Sequence, residues 1–408
     1  MNHLIYQYSL CASLSLMIFF GLYFMIAKTP EKAIFYNYLR SRRIMGIALL
    51  LLAANYSVHF FCDIRFINVN AAITMNLSTY FLSYYLFSSA MITLLDRFYI
   101  TRKRTRIHII LWLIFSSLSA VALLLLPDGP LQKVALLALA AWLVVYGLIL
   151  ARRVIVAYHR AIRIFDNTHA DNIGLYIEWM STFTYWALIF GVGCGLLTFL
   201  PDKYVFIWIL SSIPFYCYLF YSYQNYLLFY EQVEDAFEQD IQSEDDLLTD
   251  TETEPEIVSE EEVPVFYEKI IEKVDNWIKT DGYVRQGLTI KELSEILHTN
   301  RTYLSAYIKT TYKMTFREWI TGLRLEYAKN ILKEHPEINI QKLAESSGFL
   351  SRSNFIKSFT EKEGCTPAKW KKQIWNNLCS KKPLKKVAEA HFQKVLIRQK
   401  SADLTKKC

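Results

Sequence analysis

Residues Ile338–Trp370 read INIQKLAESSGFLSRSNFIKSFTEKEGCTPAKW, and this stretch decides the fold of the C-terminal part of the chain. Apolar residues at helical spacing lead to Gly348, and a second short helix then directs Phe355 and Phe359 inward. The other side of this second helix is polar and cationic, with Arg352, Ser353, Asn354 and Lys357. A helix, a glycine turn and a helix with such a side predict a DNA-binding helix-turn-helix.

A parallel pattern precedes this stretch. Thr289 is predicted to cap a helix that carries Ile290, Leu293, Ile296 and Leu297, and a turn through His298 and Thr299 follows. Asn300 stands where an N-cap belongs, ahead of the segment RTYLSAYIK. Leu304, Tyr307 and Ile308 are expected in the core. The opposite side of the predicted recognition helix carries Thr302, Ser305, Ala306 and Lys309.

A longer helix is predicted between the two motifs, over Phe316–Lys333. Its length of about 27 Å, at ~1.5 Å per residue, suits the placement of two recognition helices in successive segments of the major groove. An amphipathic helix over Phe266–Lys279 opens the domain, with Ile270, Ile271, Val274 and Ile278 expected on its buried side.

Over roughly Leu288–Lys371, these residues resemble the AraC/XylS family of transcription regulators. The second half matches the family's spacing at Gly348-Phe349, Phe355, Phe359, Gly364, Thr366-Pro367 and Trp370. The first half supplies Asn300–Leu304, Thr315-Phe316, Leu323-Arg324 and Ala328. Two residues depart from the family pattern: Lys313 replaces a usual glycine, and Thr360 replaces a common basic residue.

The resemblance implies which side chains contact base edges. They are Thr302, Ser305 and Ala306 in the first motif and Arg352, Ser353 and Lys357 in the second. Asn354 lies on the same helix side as the latter three. Periodicity also places Ile356 partly toward the groove, where it could meet a thymine methyl group. Arg301, Lys309 and Arg317 are interpreted either as phosphate contacts or as solvated charge.

The charge is distributed unevenly along the 408 residues. Lys and Arg minus Asp and Glu give +9 for residues 1–230, −15 for 231–263 and +13 for 264–408. These differences favour four regions: a membrane domain (1–230), an acidic disordered linker (231–263), a DNA-binding domain (264–375) and a basic tail (376–408). The linker could be a plain spacer or a decoy for the basic domain. The tail could contact DNA, the inner leaflet or neither.

Seven apolar runs in residues 1–230 are each about as long as a membrane-spanning helix. The predicted spans are Ile5–Ile26, Ile44–Phe61, Ala72–Leu95, Ile107–Leu126, Val134–Leu150, Tyr176–Leu200 and Tyr204–Leu228. Fourteen Lys and Arg residues follow the first, third and fifth runs, whereas three follow the second, fourth and sixth. By the positive-inside rule, the N-terminus is predicted outside and the C-terminal domain in the cytoplasm, at a bacterial inner membrane.

Few polar side chains interrupt the predicted spans. Asn55, His59 and Asn76 are the candidates for a sensing pocket, and interhelical hydrogen bonding is the alternative interpretation. The outer loops are too short for an extracellular sensor domain, so a stimulus would be lipophilic, small, or a property of the membrane or a partner. The seven scattered cysteines contain no Cys-x-x-Cys pair, so neither a zinc site nor a disulfide framework is expected.

The predicted fold class is all-α: a seven-helix transmembrane bundle and a cytoplasmic domain with two helix-turn-helix motifs on one long helix. The predicted function is a membrane-embedded, sequence-specific transcription regulator. Its expected partners are double-stranded DNA and membrane lipid, RNA polymerase is a candidate, and no cofactor or enzymatic activity is expected. The sequence leaves three alternatives. Proteolysis could release the DNA-binding domain, the membrane part could be an enzyme or transporter with the DNA-binding domain as an accessory, or the bundle could be only an anchor. The sequence does not decide the oligomeric state.

Overall fold

The computed structural model describes residues 2–197, 199, 202–249 and 262–380. Every long element in this part of the chain is a helix, which confirms the all-α prediction. The chain divides into two compact units. The first comprises residues 1–165 and 173–238, and the second comprises 166–172 and 239–408.

Seven long helices form the first unit, together with the short helix α3 (Ile64–Ile67). They are α1 (Asn2–Ile26), α2 (Tyr36–Cys62), α4 (Val69–Thr93), α5 (Arg102–Leu124), α6 (Pro130–Thr168), α7 (Glu178–Leu197) and α8 (Asp202–Thr249). Each overlaps one predicted apolar run, although α6 and α8 extend well beyond the runs Val134–Leu150 and Tyr204–Leu228. By length and hydropathy, five of the described helices could cross a membrane: α1, α2, α5, α6 and α8.

Helices α5 and α6 expose many large apolar side chains. Leu113, Leu124, Val134 and Leu137 are each more than half exposed. Isolated apolar residues are normal on a protein surface, but continuous apolar helix sides usually face a partner or lipid. Leucine, tyrosine and phenylalanine side chains fill most of the interior of the unit.

Helix α8 continues through residue 230 to Thr249, so the first part of the region predicted as a disordered linker is helical. Glu234 in this part is buried and accepts hydrogen bonds from Arg97 Nε (2.5 Å), Asn37 Nδ2 (3.2 Å) and Tyr230 OH (2.7 Å). A buried carboxylate with three donors fixes the adjoining turns of α8. Residues 250–261 of the predicted linker and 381–408 of the predicted tail lie outside the described residues.

The second unit contains seven helices among its described residues. They are α9 (Glu262–Lys279), α10 (Ile290–Ile296), α11 (Arg301–Thr311), α12 (Phe316–Glu334), α13 (Ile340–Ser346), α14 (Arg352–Glu363) and α15 (Pro367–Ser380). On α9, Ile270 and Val274 are buried as predicted, but Ile271 is exposed and Trp277 is buried in its place. Ile296 at the end of α10 is also exposed rather than buried.

Two separate hydrophobic cores share helix α12. Its N-terminal half contributes Phe316, Trp319 and Ile320 to the core formed with α9, α10 and α11. Its C-terminal half contributes Leu325, Ala328 and Leu332 to the core formed with α13 and α14. The long helix predicted between the motifs therefore holds both of them.

Candidate DNA-binding interface

The first helix-turn-helix consists of α10 and α11. Thr289 Oγ1 accepts from the backbone N–H of Glu292, whose carboxylate accepts from the Thr289 N–H in return, so α10 begins with a capping box. His298 adopts a left-handed conformation (φ 47°) in the turn. The Asn300 side chain then caps α11 by accepting from Thr302 N at 2.7 Å. Both predicted caps are confirmed.

One side of α11 is fixed by burial of Leu304, Tyr307 and Ile308. The predicted DNA-contacting residues lie on the remaining surface. Thr302 and Lys309 are exposed, whereas Arg301, Ser305 and Ala306 are half-buried. This exposed surface is short, polar and only modestly cationic.

The second helix-turn-helix consists of α13 and α14. Gly348 in its turn has φ 82°, and a Cβ atom built there would lie 2.3 Å from the carbonyl oxygen of Val284. Only glycine tolerates both the left-handed backbone and this close approach. Ser351 Oγ caps α14 by accepting from Asn354 N, and Gly364 ends the helix with φ 69°.

Helix α14 buries Phe355 and Phe359, as predicted. The other predicted site residues occupy its remaining surface: Arg352, Ser353 and Lys357 are exposed, and Asn354 and Ile356 are half-buried. Ile356 also packs against the second core, so part of its apolar surface has a structural role.

Arg324 lies where the two halves of the domain meet. Its side chain is buried, 1% exposed, and donates from Nε to the Tyr283 carbonyl (2.8 Å) and from Nη2 to the Arg285 carbonyl (2.6 Å). Its Nη1 donates to Asp171 Oδ1 at 2.9 Å. Burial lowers the pKa of Arg324, and the Asp171 carboxylate opposes that shift. The resemblance placed Arg324 in the family pattern but indicated no partner for it.

Asp171 belongs to the short segment 166–172, which is part of the second unit. Its Oδ2 accepts from the backbone N–H of Gly287 at 2.8 Å. The Ala170 N–H donates to the Leu288 carbonyl at 2.9 Å, and His169 pairs with Thr289 in an isolated antiparallel bridge. The segment is therefore integrated into the start of the first helix-turn-helix.

Two further titratable groups of segment 166–172, Asp166 and His169, lie beside Arg317 and Arg301, and the sequence did not predict this. Asp166 Oδ1 lies 2.6 Å from Arg317 Nε in a partly buried ion pair. The charge of Arg317 is therefore paired with a carboxylate of the same chain. His169 is buried beside Arg301, and burial, aided by the Arg301 charge, lowers its pKa to about 4. Local periodicity carries no signal for these contacts, because the partners are more than 100 residues apart in the chain.

The residues predicted for a sensing pocket are only partly brought together. His59 Nε2 lies 2.9 Å from Asn76 Oδ1, and His59 Nδ1 lies 3.2 Å from Tyr6 OH. Asn55 instead donates to Thr79 Oγ1 at 2.9 Å. His59 and Asn76 border a small cavity of about 30 Å³, enough for one or two waters. These hydrogen bonds join α1 to α2 and α2 to α4, as the alternative interpretation, interhelical hydrogen bonding, expects.

The described residues contain no group of three or more His, Cys, Asp or Glu side chains that could hold a metal ion. The candidate interface is a pair of capped helices with polar and cationic side chains.

Residues 293–373 match a family model described as a helix-turn-helix domain. This C-terminal domain is of the AraC type. The match begins within α10 and ends within α15, so it covers both motifs and the helix α12 that joins them.

Several curated regulators are similar to part of the chain. The uncharacterized HTH-type transcriptional regulator YobQ of Bacillus subtilis is 33% identical over 96 residues, 24% of this chain and 39% of that protein. The Msm operon regulatory protein of Streptococcus mutans is 28% identical over 91 residues, 22% of this chain and 32% of that protein. The melibiose operon regulatory protein of Escherichia coli is 26% identical over 87 residues, 21% and 28% of the respective chains.

The chain thus spans less than half the length of each of these relatives. No solved structure matches the chain significantly.

Proposed function

We propose that this protein is a membrane-embedded transcription regulator that binds specific double-stranded DNA through its AraC-type domain. The observation that carries this proposal is the pair of N-capped helices, α11 and α14, whose polar sides remain uncovered while α12 holds both from within. A regulator with two such helices can contact two segments of the major groove. The positive charge of residues 264–408 favours the approach of the domain to the phosphates of the DNA backbone.

Within the interface, we assign most base discrimination to the second motif. Arg352 and Lys357 are exposed long cations, and Arg and Lys make the commonest specific contacts, to guanine edges. The first motif offers Thr302, Ser305 and Ala306, which are short side chains, so it mainly positions the domain. Arg301 and Lys309 are assigned to phosphate.

The membrane assignment is supported by the five apolar helices and by the apolar surfaces of α5 and α6. The alternation of cationic loops supports an outside N-terminus and a cytoplasmic C-terminal domain at a bacterial inner membrane. Labelling of single cysteines by an impermeant maleimide in intact cells tests the orientation. Reaction at position 128 and protection at position 102 are expected, and the reverse pattern would contradict it.

Segment 166–172 supports regulated binding rather than simple anchoring. It begins within the last turn of α6, a candidate membrane-spanning helix, and belongs to the DNA-binding unit through Asp171. We therefore propose that a change in the bundle reaches the DNA-binding domain through this cytoplasmic connection. A bundle that served only as an anchor would not require this buried contact.

The full chain in lipid nanodiscs, with a random duplex library at fixed salt, tests the DNA-binding assignment. Lys357→Ala is expected to relax the selected sequence and to weaken binding about 5- to 100-fold, as for loss of a bidentate base contact. Thr302→Ala is expected to weaken binding less, without a change in sequence preference. Lys372→Ala, which alters an exposed lysine of α15, serves as the control for general charge.

A wild-type protein that selects no sequence would refute the proposed function. A preference lost in Thr302→Ala but retained in Lys357→Ala would show that the roles of the two motifs are reversed.

A further inference from the structure

A second cavity of the first unit adjoins the small cavity beside His59, because Tyr56, Tyr80 and Trp208 border both. It has a volume of about 110 Å³ and is bordered by α2, α4, α6, α7 and α8. An apolar cavity of roughly 150 Å³ can hold benzene, whereas a single water needs only about 10–15 Å³. The space therefore exceeds a single water site several-fold and approaches the size that holds an aromatic ring.

The walls of this cavity are mostly aliphatic and aromatic, with contributions such as Leu52, Val144, Phe183 and Phe215. None of its lining residues is Asp, Glu, Lys, Arg or His. A charged ligand would lose its hydration in such a site without gaining a counter-charge. The lining selects for an uncharged, largely apolar molecule.

Four hydroxyl side chains of Ser and Thr line the cavity, and three of them are satisfied by their own helices. Ser88 donates to the Tyr85 carbonyl (3.0 Å), Thr184 to Met180 (2.6 Å) and Ser212 to Ile209 (2.7 Å). Such bonds to a preceding turn are the usual state of Ser and Thr within apolar helices.

Ser83 differs from these three. Its residue is 2% exposed, and its Oγ has no hydrogen-bond partner among the residues that the structure describes. A buried hydroxyl without a partner costs about 1–3 kcal/mol, so it requires an explanation. Because Ser83 lines the cavity, a molecule within the cavity is the partner that its position provides for.

We propose that this cavity binds a small, uncharged, predominantly apolar molecule with one hydroxyl or carbonyl group, which bonds to Ser83 Oγ. The inference deepens the proposed function, on which it rests, because it names the class of signal. Such a molecule would enter from the lipid phase, and it packs against α6, the helix that leads to segment 166–172. Binding is a property of the first unit and is measurable without DNA.

The probes are 4-fluorophenol and 4-fluorotoluene. They differ only in that the second has a methyl group where the first has a hydroxyl group. Their affinities for the full chain in nanodiscs are measured by ¹⁹F NMR, with protein-free nanodiscs as the reference for lipid partitioning. Ser83→Ala is expected to shift the affinity ratio about fivefold toward 4-fluorotoluene, the value of one neutral hydrogen bond. Ser89→Ala is the matched control, because Ser89 is equally buried and unpartnered on α4 but does not line the cavity.

Ala187→Phe and Ala151→Leu fill the cavity and are expected to abolish binding of both probes. Binding that survives in these variants would overturn the proposal. An equal ratio in Ser83→Ala and Ser89→Ala would overturn it too, and this comparison does not depend on whether the filled variants fold.

DNA binding by the same nanodisc preparations, without probe, separates the two proposals. Loss of the probe effects while DNA binding persists refutes the cavity assignment alone. Absence of sequence-specific DNA binding while the probe ratios behave as expected refutes the regulator and leaves the binding site.

Discussion

The two helix-turn-helix motifs share a layout but differ in how they are held. The first turns through His298, a non-glycine residue with φ 47°, and packs with α9, a large aromatic core and segment 166–172. The second turns through Gly348 and has a smaller core, with its turn pressed against the Val284 carbonyl. The first motif is thus connected to other parts of the chain, whereas the second leaves more long polar side chains uncovered.

Substitution of Gly348 in the second turn is expected to destabilise the protein most. Gly348→Ala would bring a Cβ to 2.3 Å from the Val284 carbonyl and impose a left-handed backbone on alanine. We expect a loss of at least 3 kcal/mol in the opening free energy of α13 and α14, since steric overlap adds to the ~1–2 kcal/mol conformational cost. Hydrogen–deuterium exchange of these helices in the full chain measures it.

Gly364→Ala is the matched control for that substitution. Gly364 also has a left-handed backbone (φ 69°), but a Cβ there would have nothing within 4 Å. Only the conformational cost of ~1–2 kcal/mol is expected. Equal effects at the two glycines would show that contact with Val284 is not what fixes the second motif.

A smaller loss of stability is expected where segment 166–172 contacts the first motif through Asp171. Asp171→Asn removes the charge that faces the buried Arg324 guanidinium while it keeps the side-chain size. Loss of one member of a buried ion pair costs about 3–5 kcal/mol, and Arg324 keeps two carbonyl acceptors, so we expect about 3 kcal/mol. Faster amide exchange around Gly287 and Leu288 would report it.

Arg285→Ala serves as the control for that pair, because Arg285 and Glu292 form an exposed ion pair that should contribute less than about 1 kcal/mol. If Asp171→Asn left exchange around Gly287 unchanged, segment 166–172 would not be a fixed part of the first motif.

A smaller effect follows from the buried His169. Its folded-state pKa of about 4 lies below the ordinary value near 6.5, so the unfolded state binds the proton more readily. The contribution of neutral His169 to the free energy of unfolding is fully present above pH 6.5. It is lost as the pH falls toward 4, and the loss at pH 5 is on the order of 1–2 kcal/mol. Amide exchange of segment 166–172 at pH 7 and 5, corrected for intrinsic rates, measures it. His169→Gln should show no such pH dependence beyond that of the neighbouring carboxylates.

The smallest effect concerns the turn before α12. Lys313, which replaces a usual family glycine, adopts φ 54°, the conformation that glycine would take there. Lys313→Gly is expected to stabilise the first motif by up to ~1 kcal/mol, because relief of the left-handed strain exceeds the added flexibility of the unfolded chain. A stability lower than that of the wild type would contradict this account.

The sequence predicted those features that depend on neighbours along the chain. The caps at Thr289 and Asn300, the turn at Gly348 and the inward Phe355 and Phe359 all follow from residue type and helical spacing. The surfaces of α11 and α14 follow for the same reason, since fixing the buried side of a helix also fixes its exposed side.

Features that depend on distant parts of the chain were not predictable in this way. The partner of Arg324 is Asp171, 153 residues away, and nothing near either residue indicates the pairing. Burial of Trp277 in place of Ile271 depends on Trp319 and Tyr283, which only the folded domain brings close. The helical extension of α8 depends on Arg97 and Asn37, which stabilise Glu234 within a sequence whose composition favours disorder.

Helix α12 also acts as a molecular ruler. Because its two halves belong to different cores, the rotation and separation of the two motifs are set by the helical repeat between them. One inserted residue would turn the second motif by about 100° and advance it by about 1.5 Å, whereas seven would nearly restore its phase about 10 Å farther along. Under the proposed function, the operator spacing would thus be encoded in the length of a single helix, and changing that length by whole pairs of turns would be the way to re-tune it.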